Sequence, residues 1–373
     1  MPQARTSHLY VLDGLRAVAV GVVMLRHYGF SHFYGGFLGV DLFFVLSGFL
    51  ITRLLAMEFE ASASIRFDLF YLRRACRLLP ATIVLLIFVT ILRALLPSIF
   101  ATKLSWWFSD LSVLFFFANF FSTPLEALGH TWSLSVEEQF YFLWPMALLV
   151  ILRRCRTIAA RLAITLALAL SGAALRAWLQ GSGAFGVDIY TFLFARMDSL
   201  LIGAALALAM ELPSFAGACA RACRFFPAEI AMAIFLVAVV LMKPSHMVFM
   251  FYGGMTLVAL LGAVLVAAVI NDPRPTLLKR LLESHPLVWL GRRSYGIYLY
   301  HLPVFYLVTP LHVKYTGPVS QVAYLGLGLS MPVILAALSY HYVELPFLKR
   351  KVELKWNFPK HELGALAVKK AVI

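Results

Sequence analysis

GGFLGVDLFFVLSGFLITRLL, residues 35–55, is the stretch on which the fold turns. Its charges are one aspartate near the start, Asp41, and one arginine near the end, Arg53. Coiled as a helix at 1.5 Å per residue it extends about 31 Å, the thickness of a bilayer's hydrocarbon core. Comparable runs recur at about 9–28, 78–96, 137–152, 158–178, 191–210, 228–242, 249–270, 295–312 and 319–342. Hydrophobic residues fill 62% of the 373 positions and charged residues only 13%, a balance outside that of soluble domains. The pattern predicts an all-α, polytopic integral membrane bundle of about ten transmembrane helices. One membrane domain is expected over 1–348, followed by a basic cytoplasmic tail over 349–373. Asp13, Arg16, Arg26 and His27 interrupt the first run, and no small-residue cleavage site follows it, so it is read as a retained span.

The formal net charge of +14 raises the question of nucleic acid. The distribution of that charge answers it. Lys and Arg gather in 53–77, 153–161, 221–224, 274–293 and 349–355, between apolar runs, as cytoplasmic loops do. The charge orients the chain, with both termini expected inside, and offers contacts to membrane lipid or to an anionic cofactor. Placing every cluster on one side requires even numbers of crossings between them. Ten spans satisfy this if 106–121, interrupted by Ser109 and Asp110, is re-entrant or lies along the outer surface. Residues 64–77, SIRFDLFYLRRACR, read as an amphipathic cytoplasmic element. Cys219 and Cys223 lie one helical turn apart, but no second pair or neighbouring histidine completes a zinc site. No metal is expected.

Ionisable groups inside spans mark functional candidates. Arg16 and His27, eleven residues apart, share one helix face, about 16 Å apart in height. Asp41 needs a partner, and Arg16 is the obvious one; Arg16 can equally pair with Asp13. The glycines around Ser47 and Gly48 permit close helix packing, and the same backbone can border a substrate path. HTWSLSVEEQFYFLWP, 130–145, brings His130, Trp132, Ser133, Ser135, Glu137 and Glu138 to the start of a span. A carboxylate there can orient a histidine, or simply sit near the positive end of the helix dipole. Arg196 and Asp198 read as an internal ion pair. Ser294, Tyr298 and His301 share a helix face, and Glu344 can pair with an arginine or close the last helix. Neither a nucleophile elbow, a phosphate loop nor a zinc-hydrolase motif is present.

Seven segments in order, LDGLRAVAV (12–20) with His27, GVDLFFVLSGFLIT (39–52), FYLRRACRLLP (70–80), HTWSLSVEEQFYFLWP (130–145), RMDSLLIG (196–203), SYGIYLYHLPV (294–304) and YVELPF (342–347), resemble acyltransferase family 3. The resemblance implies a membrane O-acyltransferase of bacterial polysaccharides and related glycans, in the inner membrane. It implies that His27 is the catalytic group, with Arg16 its motif partner. Arg74 and Arg77, with Arg73 beside them, would take the acyl-coenzyme A donor, most commonly acetyl-coenzyme A. Ser47 and Gly48 would border the substrate path, to which Asp41, Trp132, Ser133, Tyr298 and His301 are assigned as well. Glu137 or Glu138 would orient His27, which acts as general base or carries the acyl group itself. A two-step transfer through an extracytoplasmic domain would need a separate protein, and glycan-assembly proteins are expected partners. The rival reading of the same intramembrane charges is a proton-coupled transporter. The crowding of ionisable residues in the first half, without two matching broken-helix halves, counts against it.

Overall fold

The computed structural model describes residues 7–28, 31–100, 104–121, 125–183, 188–314 and 317–353. Among these, every regular element is a helix. Most of the expected tail, 354–373, lies outside the described residues. The helices are α1 (Ser7–His27), α2 (Leu38–Ser62), α3 (Phe67–Leu95), α4 (Trp106–Leu114), α5 (Trp132–Arg154), α6 (Ile158–Ser182), α7 (Leu193–Ala209) and α8 (Pro213–Ala222). They continue with α9 (Ala228–Leu241), α10 (Met255–Asn271), α11 (Leu277–Leu282), α12 (His285–Arg292), α13 (Ser294–Lys314), α14 (Pro318–Ser339) and α15 (Leu345–Glu353).

All ten candidate segments fall in helices. By length and apolarity alone, six stretches among the described residues can cross a membrane, or seven if the α7–α8 pair, bent by 106°, is one span. Helix α9, with 14 residues, rises only about 21 Å. A count of ten therefore rests on the charge pattern as well as on hydropathy. Segment 106–121 folds as the nine-residue α4, about 14 Å long and too short to cross, followed by a 3-10 turn over Ala118–Phe120. Its Asp110 receives a 2.6 Å ion pair from Arg93 of α3, which holds the short helix against its neighbour.

Local chemistry sets the helix ends. Thr157 caps α6 by accepting from the Ala160 amide at 3.2 Å, and Gly183 closes the helix in the left-handed region at φ 61°. Residues 64–77 do not form a separate amphipathic element. From Phe67 the chain runs as one 29-residue helix into the third span, because Arg73, Arg74 and Arg77 are accommodated inside the bundle rather than splayed at its surface. Pro80 removes one amide from this helix without ending it, as neighbouring groups in membrane bundles allow. Two of the bundle's hydroxyls support the turn: Thr82 donates to the Leu78 carbonyl at 3.0 Å and Tyr295 of α13 donates to the same oxygen at 3.3 Å.

A close crossing joins α2 to α7. A Cβ on Gly48 would run into the Leu200 carbonyl, and one on Gly203 into the Val45 carbonyl. Reciprocal glycines let two backbones meet where apolar attraction between helices is weak. Gly48, assigned above to a substrate path, packs its backbone against α7 here.

Candidate functional site

Two polar regions lie inside the bundle. In the first, Arg176 of α6 is completely buried. It donates to both carboxylate oxygens of Asp198 at 2.8 and 2.9 Å, to the Ala195 carbonyl at 2.7 Å, to Thr256 at 2.6 Å and to the Phe251 carbonyl at 3.2 Å. These contacts engage all three guanidinium nitrogens. Phe251 lies in a π-helical turn, Met250–Gly254, an element in which carbonyls leave their usual helical register. Nearby, Arg196 donates to Asp41 at 2.9 Å, and Ser199 donates to the same oxygen at 3.1 Å. The Arg196 guanidinium faces the rings of Tyr190, Phe44 and Trp132 at 5.2, 5.6 and 5.7 Å, favourable cation–π geometry.

Three expectations are corrected here. Arg196 and Asp198 do not pair with each other, since residues two apart point to different sides of a helix. Arg196 turns to α2 and Asp198 to α6. Asp41 is not the partner of Arg16, which instead lies 3.6 Å from Asp13 on its own helix. Asp41 and Trp132, assigned to the substrate path, lie in this ion-pair region and do not line the cavity described below. Arg176 was not singled out from sequence, although a lone arginine within AALRAWLQ was a legible signal.

The second region is a cavity walled by α1, α2, α3, α5 and α13. Arg16, Arg74, Arg77, Ser47, Glu137 and Tyr298 line it, with Ser133, Ser294, Tyr141 and Tyr295 completing the polar wall. Arg74 lies 3.6 Å over the Tyr141 ring and donates to Glu138 at 3.4 Å. The Ser47 hydroxyl donates to Glu137, which also accepts from Tyr141 at 3.4 Å. Three arginines against Glu137 in the lining leave an electropositive chamber, suited to an anion. Arg73, grouped with these arginines from sequence, is buried but does not line the cavity. Tyr141 and Tyr295 were missed as site residues; Tyr141 stands four residues after Glu137, the spacing that shares a face.

Behind Tyr298 three imidazoles meet. The His301 ring centroid lies 5.1 Å from that of His27 and 4.9 Å from that of His130, with the Tyr298 ring 5.1 Å away. The Tyr298 hydroxyl lies 2.6 Å from that of Ser133 and donates to the His130 carbonyl at 3.1 Å. The structure thus gathers Arg16, Arg74, Arg77, Ser47, Ser133, Glu137 and Tyr298 around one cavity, and sets His27 with His301 and His130 beyond its Tyr298 wall. Among the described residues no hydrogen bond joins His27 to Glu137 or Glu138. Both carboxylates face the arginine side, so the expected carboxylate–histidine pairing is not the arrangement found. No group of three or more His, Cys, Asp or Glu side chains among the described residues is arranged to hold a metal ion.

Residues 9–340 match the model of a family described as an acyltransferase domain. The chain is 34% identical over 362 residues to the peptidoglycan O-acetyltransferase OatA of Listeria monocytogenes, covering 92% of this chain and 57% of that protein. It is 37% identical over 362 residues to the protein YrhL of Bacillus subtilis, covering 91% of this chain and 55% of the relative. The chain therefore spans little more than half the length of these relatives. No solved structure matches it.

Proposed function

We propose, from the premise that the chain belongs to acyltransferase family 3, that it is a membrane O-acetyltransferase acting on a glycan hydroxyl. The donor is acetyl-coenzyme A on the cytoplasmic side of a bacterial inner membrane, with both chain termini on that side. The acceptor class is a cell-surface glycan, and the name of the Listeria relative points to peptidoglycan. The observation that carries this reading is the electropositive cavity whose Tyr298 wall touches the histidine cluster.

Arg74 and Arg77 supply the forked donors that match phosphate oxygens, and Arg16 extends that charge toward α1. The pantetheine arm enters the cavity, bringing the thioester toward Tyr298 and His27. His27 accepts the proton of the acceptor hydroxyl as its oxygen attacks the thioester carbonyl. The carbon–sulfur bond breaks, the new oxygen ester forms, and the proton leaves with coenzyme A as the free thiol. Glu138 holds Arg74, and Glu137 with Ser47 and Tyr141 shapes the channel between them. Glycan-assembly proteins would deliver the acceptor.

The test is acetyl-coenzyme A turnover by purified protein in liposomes, with chitotriose as soluble acceptor and thiol release plus ester formation as readouts. His27→Ala should lower transfer by about 10²–10⁴-fold, the usual worth of a general base. Undiminished transfer in that variant would overturn the assignment.

A further inference from the structure

Two of the three clustered histidines have their tautomers set by backbone. His301 Nδ1 lies 2.5 Å from the Tyr298 carbonyl, and His130 Nε2 lies 3.1 Å from the Leu299 carbonyl. A carbonyl oxygen only accepts, so in each ring that nitrogen carries the proton and the other presents a lone pair. The sequence explains why the Leu299 carbonyl is available. Its helical partner would be the amide of residue 303, and residue 303 is proline. The remaining nitrogens, His301 Nε2 and His130 Nδ1, are buried and have no hydrogen-bond partner among the described residues. His301 is completely buried and His130 is 6% exposed. A buried acceptor left unmet bears the full cost of its lost hydration, and two sit in adjoining rings.

We infer that these two nitrogens form a hydroxyl-binding site beside His27, accepting hydrogen bonds from neutral O–H donors. The inference deepens the reading of His27 as the base and rests on it for its catalytic meaning. Its ligand chemistry follows from the lone pairs. An anion would face two acceptors and no donor. A cation would lose its hydration among apolar walls, with Arg26 adjacent in the chain. Neutral hydroxyl groups, one O–H for each nitrogen, meet the need without either cost. They come either from two hydroxyls of the acceptor sugar or from the two O–H bonds of one water, and His27, 5.1 Å from His301 between ring centroids, stands next to them. His130 and His301 are positioning residues on this account, since they orient the acceptor through those hydroxyls while His27 takes the proton of a further one.

The experiment is ¹⁵N spectroscopy of the full chain labelled at histidine, in detergent, before and after addition of chitotriose. Signals are assigned by their loss in His130→Phe and His301→Phe. If water fills the site, both unprotonated nitrogens already resonate upfield, as hydrogen-bond acceptors. If the sugar fills it, they move upfield only when chitotriose is added, and His301→Phe then raises the chitotriose KM about tenfold, the worth of one hydrogen bond. Nitrogens that keep the free lone-pair position in both samples, or that prove protonated, overturn the site. This readout does not depend on turnover. Hydrogen-bonded nitrogens in a protein whose His27→Ala variant is fully active would keep the hydroxyl site and remove the base assignment alone.

Discussion

The ion-pair region between α2, α6, α7 and α10 and the cavity region around α1, α3, α5 and α13 use similar residue types in the same bundle. In the first, Arg176 engages all three guanidinium nitrogens, and Asp198 is met by Arg176 and by Thr256 at 2.6 Å. In the second, arginines line open space and two imidazole nitrogens have no partner among the described residues. A buried charge in a membrane protein thus does not by itself mark chemistry. Arg176 and Asp198, matched by fixed partners, orient helices; Asp41 Oδ2 and Arg196 Nε in the same region have no hydrogen-bond partner among the described residues, so what sets the second region apart is the open cavity beside its arginines and not spare valence alone.

Single substitutions put this contrast to the test. The largest effect is expected in activity. His27→Ala should lose about 10²–10⁴-fold in transfer, while its melting temperature in detergent stays at the wild-type value. Asp198→Asn reverses the pattern. It leaves the Arg176 guanidinium buried without a full counter-charge and should cost about 3–5 kcal/mol of stability, read as a lower melting temperature and poor accumulation in the membrane. If Asp198→Asn melted normally and lost only transfer, the first region would have to be reassigned to the site. Gly203→Val tests the crossing of α2 and α7, where a side chain meets the Val45 carbonyl. It should destabilise by about 1–3 kcal/mol through overpacking, again read by thermal melting. The smallest effect belongs to Arg93→Ala. Its pair with Asp110 is partly solvent-accessible, so about 1 kcal/mol is expected, with transfer unchanged.

Much of this architecture was legible in the order of residues. The long apolar runs marked every major helix, and the seven motifs announced the family that residues 9–340 match. Ser47, Ser133, Glu137, Tyr298 and Arg16 stood out as polar groups in apolar surroundings, and Arg74 and Arg77 through the family resemblance. What hydropathy cannot express is which buried charge meets which. Asp41 and Arg196 are 155 residues apart, and only the packing of α7 on α2 brings them together. The continuity of α3 was hidden for a related reason: a basic turn reads as surface until the bundle supplies Tyr141 and Glu138 around Arg74. The histidine cluster was hidden as well, since it joins α1, the turn before α5 and α13. Pro303 gave a local hint, because a proline inside a helix frees a carbonyl, but not that His130 would claim it.

The central claim is that the arginine-lined cavity is the donor site, and donor-induced stabilisation tests it directly. Acetyl-coenzyme A at a hundredfold excess over its Kd should stabilise the wild-type protein by about 2.7 kcal/mol, seen as a raised melting temperature in detergent. The account predicts that this rise disappears in the Arg74→Ala, Arg77→Ala double variant while free phosphate-buffered protein of both kinds remains folded. An equal rise in the double variant would contradict it, and would place the donor elsewhere on the molecule.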